Sequence, residues 1–180
     1  MTESRPPDPP SPFVEAWATT LLQQLPASAR ALDLAMGRGR HALVLAQRGF
    51  RVFGVDSQLD AVRDGVERCA RRGFAVRGWC ADLNATPLPR DWFDLIVVTR
   101  YLQRDLFPSL GAALAPGGVL LYETFTEAQR AYGRGPTSSD HLLKAGELLM
   151  LASGLETIFY AEVAEPECVA RLVARRRRAS

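Results

Sequence analysis

The sequence predicts an α/β fold with a mainly parallel β-sheet, and three observations support this class. From residue 31 onward, short apolar runs alternate with segments of helical spacing, which is the pattern of repeated β-α-β units. A glycine-rich turn directly follows the first apolar run. Near the end of the chain, two apolar runs are separated only by residues 163–167, which is too short for a crossover helix and predicts an antiparallel hairpin.

The N-terminal residues are expected to contain a lead-in and then a helix. Five prolines within residues 1–12 predict a disordered, proline-rich segment, because proline cannot donate a backbone hydrogen bond and disfavours helix before it. Apolar residues then recur every fourth position at Phe13, Trp17, Leu21 and Leu25, which predicts a helix that Pro26 ends. At 180 residues, the chain is long enough for one core, so we expect one domain over residues 13–174.

The remaining elements follow in alternation, with glycines marking their ends. Strands are predicted over residues 31–35, 51–55, 75–80, 93–98 and 119–124. Helices are predicted over residues 39–48, 59–72, 104–114 and 145–153, and the hairpin over 155–162 and 168–174 completes a seven-stranded sheet. The segment 125–143 has no clear period, so it is expected to be a functional or disordered loop.

Composition limits the possible partners. Hydrophobic residues make up 47% and charged residues 23%, which is ordinary for a soluble globular protein. Four of the 22 basic residues form the run 175–178, and we expect residues 175–180 to be a solvated basic tail. Docking of this run onto RNA or a membrane surface stays open as an alternative. No broad basic face is evident, so a nucleic-acid partner is not expected.

The cysteines and the apolar runs indicate the environment of the protein. Cys69, Cys80 and Cys168 form no C-x-x-C pair, so neither a disulfide framework nor a metal site is expected. No secretory signal is evident, and no apolar run approaches the roughly 18 residues that a membrane span needs. We therefore expect a cytoplasmic protein with no membrane partner.

The strongest functional signal is the turn after the first predicted strand. Gly37 and Gly39 follow an apolar run and precede a helix, and glycines there let a ligand approach the main chain without a Cβ in the way. Asp56 comes at the end of the next predicted strand, where a carboxylate can accept hydrogen bonds from both hydroxyls of a ribose. Together, the turn and the carboxylate predict an adenosine-containing cofactor.

This turn has two other interpretations. Gly37 and Gly39 could form only a tight turn, with Asp56 capping the next helix. Residues 37–42 also satisfy the G-x-G-x-x-A pattern of nicotinamide-dependent dehydrogenases. Asp33 argues against the dehydrogenase, because a carboxylate at the top of the first strand would repel a pyrophosphate and would attract the cationic sulfonium and ammonium of S-adenosylmethionine.

The run from Leu32 to Asp56 resembles motif I and the following acidic residue of class I S-adenosylmethionine-dependent methyltransferases, especially small tellurite-resistance-type members. Downstream, residues 80–83 look like the adenine-contacting acidic turn of this family, residues 93–98 like its fourth strand, and residues 114–118 like the turn before its fifth strand. The similarity covers about residues 30–175. It implies a Rossmann-like class I methyltransferase fold and the cofactor S-adenosylmethionine.

The resemblance also implies roles for individual residues in holding the cofactor. Asp33 would orient the amino group of the cofactor, directly or through water, Asp56 would hold the ribose hydroxyls, and Asp82 would accept a hydrogen bond from the adenine amine. Met36 departs from the family, in which a cysteine or glycine is usual, and its thioether could narrow the pocket or lie beside the methionine moiety. The full expected cofactor set is Asp33, Ala35, Met36, Gly37, Gly39, Asp56, Ser57, Asp82, Leu83 and Thr99.

Acceptor-side residues are expected in the loops after the fourth and fifth strands. Because methyl transfer from a sulfonium is an in-line displacement, the enzyme mainly aligns the acceptor, and a general base is optional. The catalytic candidates are Tyr101, Glu123 and His141. The substrate candidates are Arg40, His41, Arg100, Arg104, Tyr132 and Arg134.

Several of these candidates have a structural alternative. Glu123 ends an apolar strand, where a carboxylate could instead pair with an arginine. His141 could be a solvent-exposed loop histidine, and Tyr101 a packed aromatic residue. Tyr132 and Arg134 could close over substrate as a lid or belong to a loop without function.

The expected activity is methyl transfer to a small-molecule acceptor, because the chain shows no added domain that would grip a macromolecule. An RNA methyltransferase is the alternative enzyme. A non-catalytic module that binds S-adenosylmethionine is the alternative from another class, with occlusion of the pocket by Met36 as its only indication. A nicotinamide-dependent dehydrogenase remains the further alternative.

Overall fold

Seven strands form one sheet in the computed structural model, which describes residues 9–178. The strands are β1 (Arg30–Leu34), β2 (Arg51–Asp56), β3 (Val76–Cys80), β4 (Phe93–Thr99), β5 (Leu114–Phe125), β6 (Glu156–Val163) and β7 (Val169–Arg175). Their order across the sheet is β3-β2-β1-β4-β5-β7-β6. Strands β1 to β5 pair in parallel, whereas β7 runs antiparallel to both of its neighbours. The predicted sheet and its antiparallel hairpin are confirmed.

Helices cover both faces of this sheet. They are α1 (Pro12–Leu22), α2 (Arg40–Gln47), α3 (Leu59–Ala70), α4 (Phe107–Ala113) and α5 (Glu147–Leu151). Apolar residues of α1, α2 and α3 pack into one core layer, and those of α4 and α5 pack into the layer on the opposite face. Because β1 alternates its side chains, Leu32 and Leu34 enter the second layer and Ala31 the first. The core is therefore the two-sided core of an α/β protein.

Strand β5 begins earlier than predicted. It starts at Leu114, so Pro116, Gly117 and Gly118 lie within the strand, where the pairing with β4 shifts register. A Cβ on Gly118 would lie 2.8 Å from the carbonyl oxygen of Phe93, which is too close for any other residue. The three residues expected as a turn thus form an irregular extension of the sheet.

The segment 125–143 is ordered around a buried glutamine. It contains two short 3-10 helices over Glu127–Tyr132 and Ser139–His141. Gln129 donates to the carbonyl of Arg134 at 3.1 Å and accepts from the backbone N–H of Cys168 at 2.7 Å. These side-chain hydrogen bonds hold the segment in place of a regular backbone ladder. The segment is therefore an ordered loop.

The expectations for the two ends of the chain are met only in part. Arg175 is the last residue of β7 and donates to Gln24 at 2.9 Å, and Arg176 forms an ion pair with Asp91. The expected solvated tail over 175–180 is therefore wrong for these two arginines, because the segment after α1 supplies a partner for Arg175, and Asp91, α4 and β5 supply partners for Arg176. Residues 1–8 of the expected disordered lead-in, and residues 179–180 of the tail, lie outside the described residues.

Two further properties concern residues 9–178 as a whole. No helix in this range is long and apolar enough for a membrane span. Within the same range, no cluster of three or more potential metal-binding side chains occurs. Cys69, Cys80 and Cys168 are free thiols.

Candidate cofactor and acceptor site

The glycine-rich turn connects β1 to α2 at the carboxyl edge of the sheet. Ala35, Gly37 and Gly39 all adopt left-handed backbone angles, with φ of 55°, 50° and 70°. A Cβ on Gly39 would lie 3.1 Å from the backbone of Gly65 in α3, so the turn packs closely against that helix. The turn thus needs glycine at residue 39 both for its angle and for this approach.

Asp56 holds this turn from the end of β2. Its Oδ2 accepts a hydrogen bond from the backbone N–H of Gly37 at 2.8 Å, and its Oδ1 accepts one from Gln58 at 3.0 Å. Asp56 therefore has the capping role that was the alternative to ribose binding. Each carboxylate oxygen has a second lone pair, so Asp56 can still accept from ribose hydroxyls.

A cavity of about 360 Å³ opens beside Asp56, and we name it the adenine-side cavity. Asp82 lies in its wall and accepts two hydrogen bonds from Asn84, from the backbone N–H and from the side-chain amide, both at 2.9 Å. These bonds lower the pKa of Asp82, so its carboxylate stays ionised and able to accept from an adenine amine. The cavity is lined by Ala35, Asp56, Ser57, Gln58, Ala81, Asp82, Leu83, Asn84, Thr99, Arg100 and Tyr101.

Tyr101 lies on this adenine side, not beside the expected acceptor. Its hydroxyl donates to Oε1 of Gln103 at 2.5 Å, and its carbonyl accepts from the hydroxyl of Tyr122 at 2.8 Å. The structure places this side chain, half-buried, in the adenine-side wall, and its catalytic role stays a prediction.

A second cavity of about 310 Å³ lies on the other side of the glycine turn, and we name it the methionine-side cavity. It shares Ala35, Thr99 and Arg100 with the adenine-side cavity. The rest of its wall is formed by Met36, Gly37, Arg38, Arg40, His41 and Arg68.

Arg68 is the lining residue that sequence reasoning missed here. Its Nη1 atom is buried and has no hydrogen-bond partner among the residues that the structure describes. A buried guanidinium donor without an acceptor is costly, so this atom points to a ligand oxygen in the cavity.

Asp33 does not face these cavities. Its side chain is 1% exposed, and its Oδ2 accepts a hydrogen bond from the backbone N–H of Ala42 at 2.8 Å, in the first turn of α2. Burial raises the pKa of Asp33 to about 7. Because the side chain is directed into the layer between β1 and α2, the structure does not favour a direct contact with the cofactor amino group, and a contact through water stays a prediction.

His41 is also buried, and both of its ring nitrogens have hydrogen-bond partners. Its Nε2 accepts from the backbone N–H of Ser11 at 3.0 Å, and its Nδ1 lies 3.1 Å from Oγ1 of Thr99. This arrangement requires the neutral ring with its proton on Nδ1, and burial lowers the pKa of His41 to about 3. Both ring nitrogens thus connect α2 to the start of α1 and to the end of β4, and a contact of His41 with substrate stays a prediction.

Met36 does not occlude the cofactor pocket. Its side chain is buried in the core between β2 and α3, and its Sδ lies 2.2 Å from the position a Cβ on Gly54 would take. Glycines at residues 54 and 65 make room for this methionine. The thioether thus lies against Gly54 in the core, although Met36 also borders the methionine-side cavity, and its place beside the cofactor stays a prediction.

A third and larger cavity of about 560 Å³ lies next to the methionine-side cavity, and we name it the acceptor-side cavity. The two cavities share Arg40 and Arg100. One wall is the segment 9–12 ahead of α1, and the opposite wall is the loop 166–169 ahead of β7. The remaining lining residues are Glu15, Glu123, Arg134 and Arg171.

Two ion pairs organise the acceptor-side cavity. Glu123 accepts from Nε of Arg171 at 2.6 Å, and these two residues are paired across β5 and β7. Arg100 donates from Nη2 to both oxygens of Glu167, at 2.9 and 3.2 Å. The structural alternative for Glu123 is thus present, although the pair still borders the cavity.

The predicted substrate residues Arg40 and Arg134 both line this cavity. Arg40 donates to the carbonyl of Pro9 at 3.2 Å, and Arg134 donates to the carbonyl of Pro166 at 2.8 Å. Each arginine therefore holds one of the two opposite walls.

Three other candidates lie outside the three cavities. Arg104 is bonded to Glu147 at 2.6 Å and to the carbonyl of Leu142 at 3.0 Å, so it fixes α5. Tyr132 donates to the carbonyl of Ala164 at 2.5 Å, and His141 is exposed in its 3-10 turn. The structure therefore does not bring these three residues into the cavities, and their substrate and catalytic roles stay predictions.

Comparisons with known proteins agree with this geometry. Residues 31–118 match a family model described as a methyltransferase domain. Over 113 residues the chain is 37% identical to trans-aconitate 2-methyltransferase of Paracidovorax citrulli, which covers 57% of this chain and 42% of that protein. Over 120 residues it is 30% identical to protein-L-isoaspartate O-methyltransferase of Chlorobaculum tepidum, covering 61% and 51%. The chain thus spans about half the length of these relatives, or less.

Solved structures support the same fold. A methyltransferase from Mesorhizobium loti described as S-adenosylmethionine-dependent superposes with a TM-score of 0.70 at 22% identity, over 91% of this chain and 98% of that chain. TehB from Haemophilus influenzae gives a TM-score of 0.71 at 18% identity, over 90% and 62%.

The strand order and the glycine turn, which is held by the hydrogen bond from Gly37 to Asp56, define a class I S-adenosylmethionine-dependent methyltransferase fold. Residues 31–118, which match the methyltransferase-domain family model, contain the glycine turn, nearly all of β1, and strands β2 to β4. The cofactor of this class is S-adenosylmethionine, and the residues present fit it. Asp82 and Asp56 supply acceptors for adenine and ribose, and the orphaned donor of Arg68 matches the carboxylate of the methionine moiety.

Proposed function

We propose that the protein transfers the methyl group of S-adenosylmethionine to a small-molecule acceptor. The observation that supports this most directly is the continuity of the three cavities, because Arg100 lines all of them. An acceptor in the acceptor-side cavity would therefore lie next to the methionine end of a cofactor bound along the glycine turn.

The residues of the chain bind and align the reactants. Asp56 and Asp82 hold the adenosine moiety, and Arg68 holds the carboxylate of the methionine moiety. When bound, the cofactor supplies a methyl group on a positively charged sulfur, which needs no further activation. Arg40 and Arg100, at the junction of two cavities, orient the acceptor for in-line attack, which is where most of the rate enhancement arises.

The dimensions of the acceptor-side cavity support a small molecule. Its volume of about 560 Å³ lies within the range of ordinary ligand pockets, roughly 300–1,000 Å³. Walls formed by residues 9–12 and 166–169 narrow the approach, so a folded nucleic acid would have to displace them. One similar protein is also named for the small molecule trans-aconitate.

Titration calorimetry with S-adenosylhomocysteine and with NAD tests the assignment of the cofactor. We expect S-adenosylhomocysteine to bind with a micromolar dissociation constant, on the order of −8 kcal/mol, and NAD to give no heat. Binding of NAD alone would contradict the proposal in favour of a dehydrogenase. If neither compound binds, the proposed function is wrong.

A further inference from the structure

The acceptor-side cavity has more positive than negative charge in its walls. Four arginines and three glutamates line it. Glu123 pairs with Arg171, Glu167 pairs with Arg100, and Glu15 lies 4.0 Å from Arg48, which is outside the cavity. All three negative charges therefore have cationic partners, and an anion would not be repelled.

Arg134 lines this cavity and has no carboxylate partner among the described residues. Its contacts are the carbonyl of Pro166 and the ring of Tyr132, and no acidic side chain of residues 9–178 lies within 4.0 Å of it. A guanidinium has five N–H donors in a planar fork, which matches the two oxygens of a carboxylate. Arg134 thus retains donors that an anionic acceptor can use.

The same cavity lacks a side chain suited to remove a proton from an acceptor. Its three carboxylates are the ones already paired with arginines. His41, the histidine nearest to the cavity junction, has both ring nitrogens in hydrogen bonds. Among the described residues, the site is therefore built for a nucleophile that arrives deprotonated.

We propose that the acceptor is a small carboxylic acid, and that the product is its methyl ester. This inference rests on the proposed methyltransferase function and names its substrate class. A carboxylate oxygen forms a bond to the methyl carbon, the carbon–sulfur bond breaks, and its electron pair stays on sulfur. The sulfonium becomes a neutral thioether, the carboxylate becomes a neutral ester, and no proton is transferred.

Carboxylates fit these walls better than the other common acceptors. A free carboxylic acid is almost completely ionised at neutral pH, whereas an alkyl amine is protonated and a thiol is only a few per cent ionised. Amines would also be repelled by the arginines. Hydroxyl acceptors would need the base that the cavity lacks.

The test uses a panel of acids with matched uncharged analogues. Succinate, glutarate and trans-aconitate are each incubated with S-adenosylmethionine beside the corresponding amides, and formation of S-adenosylhomocysteine and of methylated product is followed by mass spectrometry. We expect turnover of at least one acid, no turnover of its amide, and a product that releases methanol in alkali. Product stable to alkali, or equal turnover of the amides, would overturn the proposal.

Variants of Arg134 separate recognition of the acceptor from binding of the cofactor. Arg134→Gln should raise the KM for the acid about tenfold, because it removes one charge-assisted contact, while the dissociation constant of S-adenosylhomocysteine stays unchanged. Arg134→Lys should restore part of the loss. Arg130→Gln is the matched control, since Arg130 lies outside the cavity and pairs with Glu127.

The failures of the two proposals are distinguishable. If S-adenosylhomocysteine does not bind, the proposed function itself is wrong. If it binds but none of the acids binds to its complex in calorimetry or is methylated, the carboxylate assignment alone is overturned. If Arg134→Gln leaves the KM for an acid substrate unchanged, the role of Arg134 in binding the acceptor is likewise overturned.

Discussion

The backbone N–H of Gly37 donates to Oδ2 of Asp56 at 2.8 Å, so the glycine turn and the acidic residue of the next strand form one unit. This bond crosses from the loop after β1 to the end of β2. A cofactor bound here would contact a turn whose position Asp56 already fixes, which reduces the ordering cost of binding.

Asp56→Ala is expected to weaken both the turn and the binding of the adenosyl ligand. It removes the acceptor for Gly37 and for the ribose hydroxyls, which should cost about 1–3 kcal/mol, or roughly 10- to 100-fold in the dissociation constant of S-adenosylhomocysteine. Calorimetry measures the constant. Asp60→Ala on the exposed start of α3 is the control, and equal affinities for the two variants would refute the assignment of Asp56.

Arg68→Met should weaken only ligands that carry the methionine carboxylate. We expect about a tenfold loss for S-adenosylhomocysteine and little change for 5′-methylthioadenosine, which lacks that carboxylate. Arg63→Met, on the same helix and exposed, should affect neither ligand. Equal losses for both ligands would instead indicate that Arg68 only supports the fold.

The buried His41 predicts a loss of stability in acid. Its pKa is about 3 in the folded protein, against an ordinary value of 6.5. The neutral ring therefore contributes stability that is complete above pH 6.5 and is lost as the pH falls toward 3. The free energy of unfolding that is lost in this way is on the order of a few kcal/mol.

Urea unfolding over that pH range tests this prediction. In His41→Gln the free energy of unfolding should fall less steeply with acid than in the wild type, because no proton has to be bound on unfolding. His141→Gln, which changes the exposed histidine, should keep the slope of the wild type. Parallel curves for the wild type and His41→Gln would show that His41 does not carry the effect.

Asp33 predicts the opposite dependence. Its pKa is about 7 in the folded protein, against 3.8 ordinarily, so its contribution is complete below pH 3.8 and is lost as the pH rises toward 7. Asp33→Asn, which keeps an acceptor for Ala42, should become more stable than the wild type as the pH rises, by a few kcal/mol at most. The difference in unfolding free energy should then stay constant above pH 7. A difference that does not change with pH would contradict the assignment.

Gly39→Ala should destabilise the protein more than Gly49→Ala. Both glycines have positive φ, but only at residue 39 would the new Cβ meet backbone, 3.1 Å from Gly65. The strain of the angle costs about 1–2 kcal/mol at either position, and the clash adds to it at residue 39. Thermal unfolding measures both variants, and equal midpoints would mean that α3 yields to the new methyl group.

The sequence pattern was sufficient for the sheet and for the turn, because both depend on local spacing. It did not predict that Asp33 and His41 are buried, since a polar residue near the end of β1 or at the start of α2 can face either the ligand or the protein interior. In β1, the alternation that sends Leu32 and Leu34 to one face sends Asp33 to the face of α2. This signal was present in the sequence and could have corrected the assignment.

Other site residues needed the three-dimensional structure. Arg68 reaches the cavity only because a helical side chain extends toward the N-terminal end of its helix. The pairing of Arg171 with Glu123 depends on the register of two strands that are 48 residues apart at this position. The loop packs around Gln129, so His141 and Tyr132 lie outside the cavities. This packing has no periodic pattern in the sequence from which it could be predicted.

The wall formed by residues 9–12 has a practical consequence for handling the protein. Pro9 and Pro10 border the acceptor-side cavity, and the backbone N–H of Ser11 donates a hydrogen bond to His41. Trimming the chain back to the first residue of α1 would open that cavity on one side. Acceptor screening is therefore best done with protein that keeps residues 9–12.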